Sequence, residues 1–163
     1  MYKRQLSHIV DAYNAVGIKD IVVVRGYKKE AVNLPNLTYV DNSEFAETGE
    51  LVSLSKALQS RKGHFQPTIV SYGDVLFNKY IPQALCQEQD DCVIFVDSNW
   101  QDQTSYSRLG GFAECTVPNS RKAFNARIYL SQLGNDISRD AIHGVWMGFI
   151  KLSPGAVLSL IHI

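Results

Sequence analysis

Residues 6–24 read LSHIVDAYNAVGIKDIVVV, and two different periodicities meet inside this stretch. Leu6, Ile9, Val10 and Tyr13 recur at helical spacing, Val16 continues the stripe, and Gly17 stands where a helix C-cap belongs. Ile21–Val24 follows as an unbroken β-branched run, which predicts a strand buried on both faces. A helix feeding a buried strand is half of a βαβ unit, so the expected architecture is a parallel sheet with helical crossovers.

The alternation continues outward from this unit. Lys28–Val32 reads as a short helix closed by Pro35, and Leu37–Val40 as a short strand. Glu50–Leu58 is expected to be a helix with Leu51, Leu54 and Leu58 on its inner face and Thr48 as a candidate N-cap. Thr68–Tyr72 and Cys92–Val96 are apolar strands, with a helix over Asn78–Gln87 between them. That helix turns Ile81 and Leu85 inward, and it admits Pro82 only within its first turn. After Asp97 the texture changes. Ser98–Gly111 is polar, and Phe112–Val117 and Arg127–Leu133 read as half-exposed, antiparallel strands. Gly144–Leu152 is a long apolar strand, and Ser153–Pro154 starts a helix with Ser as N-cap and Pro at the first helical position. The expected fold is one α/β domain spanning residues 1–163 with a more antiparallel second half.

Composition narrows the function classes. The 163 residues are 45% hydrophobic and 20% charged, ordinary globular usage. No apolar run approaches the ~18–20 residues that span a bilayer. Sixteen basic residues balance sixteen acidic ones, so charge gives no argument for nucleic acid or an anionic membrane as partner. Cys86, Cys92 and Cys115 are odd in number and lack CxxC spacing, which indicates neither a disulfide framework nor a zinc site. They are expected to be small apolar core residues in a reducing, cytoplasmic setting. No signal-peptide pattern is present at the N-terminus. The helix over residues 6–16 has no preceding strand and the last helix has no stop signal, so the domain is expected to be incomplete at both ends.

Ligands of open α/β sheets sit at the carboxyl ends of the strands. That rule selects Arg25–Gly26–Tyr27, Tyr72–Gly73–Asp74 and Asp97–Ser98–Asn99–Trp100. An aspartate directly after a buried strand suits Mg²⁺, which takes one or two carboxylates together with substrate phosphate oxygens. Asp74 is therefore a candidate metal ligand; the other reading is a turn residue or the N-cap of the next helix. Asp97 reads more simply as a loop residue at a strand end. Trp146 is expected to pack. His143, at the start of a strand, reads as structural or as a supporting donor, and Glu114 as a pocket residue or part of an exposed face. His8, His64 and His162 have no ligand-like spacing, and Arg121, Lys122 and Arg127 read as surface charges or contacts to an anionic group.

These segments carry a family resemblance. Ser71–Phe77 (SYGDVLF) resembles the metal-binding strand end of nucleotidyltransferases with the sugar-nucleotidyltransferase fold. Ile21–Tyr27 (IVVVRGY) is similar to the second strand of that family, and Thr48–Leu54 (TGELVSL) to the loop and helix that face the nucleobase. With Val96–Trp100 (VDSNW) and Ile142–Gly148 (IHGVWMG), the likeness extends to cytidylyltransferases of phosphonate and phosphocholine metabolism. These include cytidylyltransferase domains fused to phosphoenolpyruvate mutase and the 2-aminoethylphosphonate cytidylyltransferases. The resemblance covers nearly the whole chain in order.

It implies a Rossmann-like, mostly parallel sheet with helices on both faces, of the nucleotide-diphospho-sugar transferase type. It also implies transfer of a cytidylyl group from CTP to a phosphonate or phosphocholine-type acceptor, with pyrophosphate leaving and Mg²⁺ as cofactor. Asp74 would be the catalytic metal ligand, and Thr48, Gly49, Tyr72 and Gly73 would hold the nucleotide. Asp97, Trp100, Asp102, Tyr106, Glu114 and His143 would form the acceptor site, where carboxylates and aromatic faces suit a cationic headgroup. The family's Gly-rich phosphate loop, with its Arg and Lys, has no counterpart before Leu6, and its second metal carboxylate would lie beyond Ile163. An upstream phosphoenolpyruvate mutase domain would be a natural fusion partner. Two alternatives stay open: a sugar-1-phosphate nucleotidyltransferase, and a non-catalytic binding module of the same fold.

Overall fold

The Gly17 signal acts as read. The helix α1 (Tyr2–Ala15) buries Ile9 and Tyr13, four residues apart on one face. Gly17 adopts φ +87°, the Gly17 N–H donates to Asn14 O at 3.1 Å, and Ile18 N–H donates to Tyr13 O at 3.1 Å. These paired bonds are a Schellman termination. Four residues later the chain enters β1 (Val22–Arg25), which pairs in parallel with β2 (Thr38–Asp41), Val22 opposite Thr38 and Arg25 opposite Asp41. The computed structural model describes residues 2–61, 63, 66–102, 111–120 and 126–161.

The remaining elements are α2 (Glu50–Gln59), β3 (Thr68–Ser71), α3 (Tyr80–Gln87), β4 (Cys92–Asp97), β5 (Phe112–Cys115), β6 (Leu130–Gly134), β7 (Gly144–Leu152) and α4 (Pro154–Ile161). β1 and β2 form a two-stranded sheet, and the other sheet runs in the order β3-β7-β5-β6, with β4 also paired to β7. β5 is antiparallel to both β6 and β7, as the change of texture after Asp97 predicts. The chain divides into two compact units, Met1–Val93 with Lys151–Ile163, and Ile94–Ile150. The first has a core of Ile9, Tyr13, Leu58, Ile81, Leu85, Leu152 and Val157; the second is built on Ala113, Ile137, Val145 and Phe149. Among the described residues, no helix is long and apolar enough to cross a membrane.

Several expectations need correction. β1 is half-buried along its length rather than buried on both faces. For β1 the reason is its two-stranded sheet, which leaves each strand an edge. The helix expected over Lys28–Val32 is one 3₁₀ turn, Lys29–Ala31, entered through Lys28 in a left-handed conformation. In α2, Leu58 is buried but Leu51 is 77% exposed, so only the later part of the apolar stripe is covered. Cys86 and Cys92 are exposed and Cys115 is half-buried, so the cysteines are not core residues.

The connection into β4 and out of β7 is held by polar groups. Ser153 Oγ accepts from Ala156 N–H at 3.2 Å, the expected N-cap of α4, and donates to Asp91 Oδ1 at 2.6 Å. Lys151, only 7% exposed, donates through Nζ to Glu88 O at 2.7 Å and Asp90 O at 3.3 Å, just beyond the end of α3. A cation there also opposes the negative end of the helix dipole. Lys151→Met keeps the apolar stem and leaves both carbonyls without this donor. It should lower unfolding stability by about 1–3 kcal/mol in urea denaturation, and an unchanged midpoint would count against this role.

Candidate functional site

The carboxyl ends of β1, β2 and β3 lie in the first compact unit, and a buried amide organises those of β1 and β2. Asn42 directly follows β2 and is 2% exposed. Its Nδ2 donates to Thr48 Oγ1 at 3.0 Å and Ser53 Oγ at 3.1 Å, and its Oδ1 accepts from Glu44 N–H at 3.1 Å. Asn42 N–H donates to Arg25 O at 2.7 Å, extending the parallel ladder one step past β2. Both amide protons and the amide oxygen are therefore used. The loop 42–49 is tied at once to the strand behind it and to α2 ahead of it.

Thr48 does not cap α2 with its side chain. Its hydroxyl donates to Glu44 O at 2.7 Å, its N–H donates to the same oxygen, and the hydroxyl oxygen takes the Asn42 amide. Gly49 is the N-cap instead, with extended backbone and no side-chain cap bond, and a Cβ there would meet nothing within 4 Å. Thr48 thus fixes the loop while Gly49 offers open space at the helix start. Lys56 on α2 reaches back to Glu44 Oε2 at 2.7 Å and holds that carboxyl below its ordinary range.

A second charged group closes the ends of β1 and β2. Asp41 accepts from Arg25 Nε at 2.9 Å and Lys29 Nζ at 3.1 Å, and the Arg25 guanidinium stacks 4.3 Å from the centre of the Tyr39 ring. The hydrogen bond from Lys29, then that from Arg25, lowers the Asp41 pKa.

After β3, Gly73 and Asp74 form an exposed turn. The turn reading of Asp74 holds, and the N-cap reading does not, because Lys79 occupies that position for α3. Tyr72 is half-buried, and its hydroxyl pKa is raised by burial first and then by the charges of Glu50 and Asp74. The start of α2 and the end of β3 therefore bring two carboxylates to bear on one hydroxyl. Glu50 was not among the residues selected from sequence, and neither was Asn42, although the strand-end rule applied to β2 points at it. Among the described residues no three His, Cys, Asp or Glu groups are placed to hold a metal ion together. What this turn offers a cation is the single exposed carboxylate of Asp74, and Mg²⁺ sites can be built on one carboxylate when a ligand supplies the other oxygens.

The acceptor candidates lie in the second unit. Asp97 Oδ1 accepts from Asn99 N–H at 2.9 Å in a local turn, and Ser98 Oγ accepts from Asn119 Nδ2 at 2.6 Å. The Trp100 ring stands edge-on to Phe112, centroids 5.4 Å apart, so it anchors its segment. Asp102 ends the 3₁₀ turn Trp100–Asp102. Glu114 is half-buried on β5 opposite Gln132, at a bulge between Glu114 and Cys115. His143 Nδ1 accepts from Cys115 N–H at 3.0 Å, so that nitrogen holds the bulge and the ring proton sits on Nε2. Burial, then the Glu114 charge, pushes the Cys115 thiol up. Trp146 packs as expected, its Nε1–H donating to Phe149 O at 2.8 Å. Tyr106, Arg121, Lys122, His64 and His162 lie outside the described residues.

The Asp41 network has a pH signature. A carboxyl whose folded pKa is depressed contributes stability above its unfolded pKa and loses it as pH falls through the folded value. Denaturation midpoints followed downward from pH ~5 should therefore fall less steeply in Asp41→Asn than in the unaltered chain. Superimposable acid limbs would contradict the network.

No family model matches this sequence, and no curated protein matches it. Solved structures do. The inositol-1-phosphate CTP transferase from T. maritima matches with a TM-score of 0.67 at 12% identity, over 94% of this chain and 59% of that one. The CTP:phosphocholine cytidylyltransferase from Streptococcus pneumoniae matches with a TM-score of 0.59 at 13% identity, over 97% of this chain and 60% of that one. The chain thus spans about three-fifths of the length of these two structures and shares their mixed α/β fold.

Proposed function

We propose that this chain belongs to an enzyme that transfers a cytidylyl group from CTP to a small phosphate- or phosphonate-bearing acceptor, releasing pyrophosphate. The observation that carries the reading is the fold shared with two CTP-using transferases over nearly the whole chain. The placement of the candidate nucleotide residues at strand ends in one compact unit supports it.

In this reading an acceptor oxygen attacks the α-phosphorus in line. A new P–O bond forms as the bond to the β-phosphate bridge breaks, and pyrophosphate carries away the charge. Catalysis of this kind rests on positioning and charge neutralisation. Thr48 and Gly49 line the base, on a loop whose shape Asn42 sets. Tyr72 lies beside the nucleotide in this reading, its hydroxyl pKa raised by burial and then by the charges of Glu50 and Asp74. Asp74 would hold Mg²⁺, which when bound neutralises phosphate charge. Asp97, Trp100 and Glu114 suit a cationic headgroup such as choline or an aminoalkyl chain. His143 enters only as the residue that holds β5 in place.

Competition binding with CTP, UTP and dTTP in Mg²⁺ tests the nucleotide, and CTP should bind tightest. Asp74→Ala should weaken CTP binding by about tenfold or more in Mg²⁺ and make it insensitive to EDTA. A preference for UTP or dTTP would favour the sugar-1-phosphate reading. Pyrophosphate release with phosphocholine, 2-aminoethylphosphonate and inositol 1-phosphate then separates the acceptors. Turnover of the polyol phosphate alone would remove the cationic headgroup from the account.

A further inference from the structure

The loop that Asn42 holds carries an aromatic ring that the hydrophobic core does not use. Phe45 is 43% exposed, and next to it Tyr27 is 71% exposed, the two ring centroids 6.3 Å apart at 59°. An exposed phenylalanine on a mobile turn would mean little. This one is seated. A Cβ placed on Gly26 would lie 2.7 Å from both Cβ and Cγ of Phe45 and 3.0 Å from its Cδ1. The ring therefore rests against the backbone just past β1, in space that exists only because residue 26 is glycine. From the other side the turn is closed by Glu47 N–H and Thr48 N–H, which both donate to Glu44 O at 3.0 Å, and by the Asn42 bond to Glu44 N–H. The result is a fixed, half-exposed ring at the carboxyl ends of two parallel strands, three residues before Thr48.

A ring held in this way offers an apolar platform for a flat partner, and stacking on such a platform tolerates any base because every base has a π-face. Resting on the cytidylyl-transfer reading above, we infer that Phe45 is the stacking surface for the nucleobase, positioned by Gly26 and the Asn42 loop. Phe45 supplies affinity for the base and none for the phosphates. Discrimination between bases falls to polar groups of the loop, because a phenyl ring carries no hydrogen-bonding pattern.

The experiment is equilibrium binding of CTP and of inorganic tripolyphosphate to the 163-residue chain and its variants. Phe45→Ala should weaken CTP by about tenfold or more and leave tripolyphosphate within about twofold. Phe45→Trp should restore CTP binding to within about threefold, whereas Phe45→Leu, apolar but without a π-face, should not. Gly26→Ala should reproduce the Phe45→Ala loss, because the new methyl group displaces the ring. CTP affinity unchanged in Phe45→Ala, with the unaltered chain binding CTP, overturns the inference and leaves the transferase reading standing. Equal losses of CTP and tripolyphosphate also overturn it, since they mark a merely structural residue. If the unaltered chain binds tripolyphosphate but shows no preference for CTP over it, the nucleotide reading fails and the stacking role fails with it.

Discussion

A single buried amide sets the shape of the strand-end surface. Asn42 is nearly sealed from solvent and makes three side-chain hydrogen bonds, to Thr48, Ser53 and Glu44. A primary amide that is buried must satisfy its donors and its acceptor or suffer their full desolvation cost. That requirement fixes the loop 42–49 against α2. The Asn42 N–H bond to Arg25 O fixes the same loop against β1. What Thr48, Gly49 and Phe45 present to a ligand follows from this one constraint.

Charge on the same surface is arranged in two ways. Asp41 is shared by Arg25 and Lys29, and Glu44 is matched by Lys56, so these two carboxylates are already paired. Glu50 and Asp74 instead act together on the Tyr72 hydroxyl. The paired groups are framework, whereas the charges of Glu50 and Asp74 both bear on Tyr72. In the second unit the polar side chains serve mostly to hold backbone. Asp97 shapes its own turn, and His143 holds the β5 bulge. Glu114 lies on the strand so fixed.

Much of the fold was legible because local signals decided it. The helix end at Gly17, the Ser153 cap of α4, Pro82 in the first turn of α3 and the antiparallel pairing after Asp97 all rest on short-range chemistry. Features that depend on tertiary context were harder to read. Whether Ile21–Val24 is covered on both faces depends on how many strands flank it, and Leu51 depends on what lies over the first turn of α2. The cysteines obey no periodicity that places them inside or outside. Of the candidate site, Thr48, Gly49, Tyr72 and Asp74 are visible in sequence as strand-end and loop residues, but the weight of Asn42 and Glu50 depends on partners that only the fold brings to them. Gly26 stands in sequence only as part of the strand-end segment Arg25–Gly26–Tyr27; the space it leaves shows only beside Phe45.

In the proposed reading a nucleotide binds on the surface made by the loop 42–49 and the turn 72–74. Amide chemical shifts followed by NMR during titration with CTP and Mg²⁺ test it most directly. The largest changes should fall at Asn42–Glu50 and at Tyr72–Asp74, with the Gly26 amide moving alongside. Around the ends of β1 and β2 opposite this surface, Val10, Asn14, Lys19, Ile21 and Leu37 line a cleft of about 330 Å³. Changes concentrated at that cleft, or none at the loop, would contradict the claim.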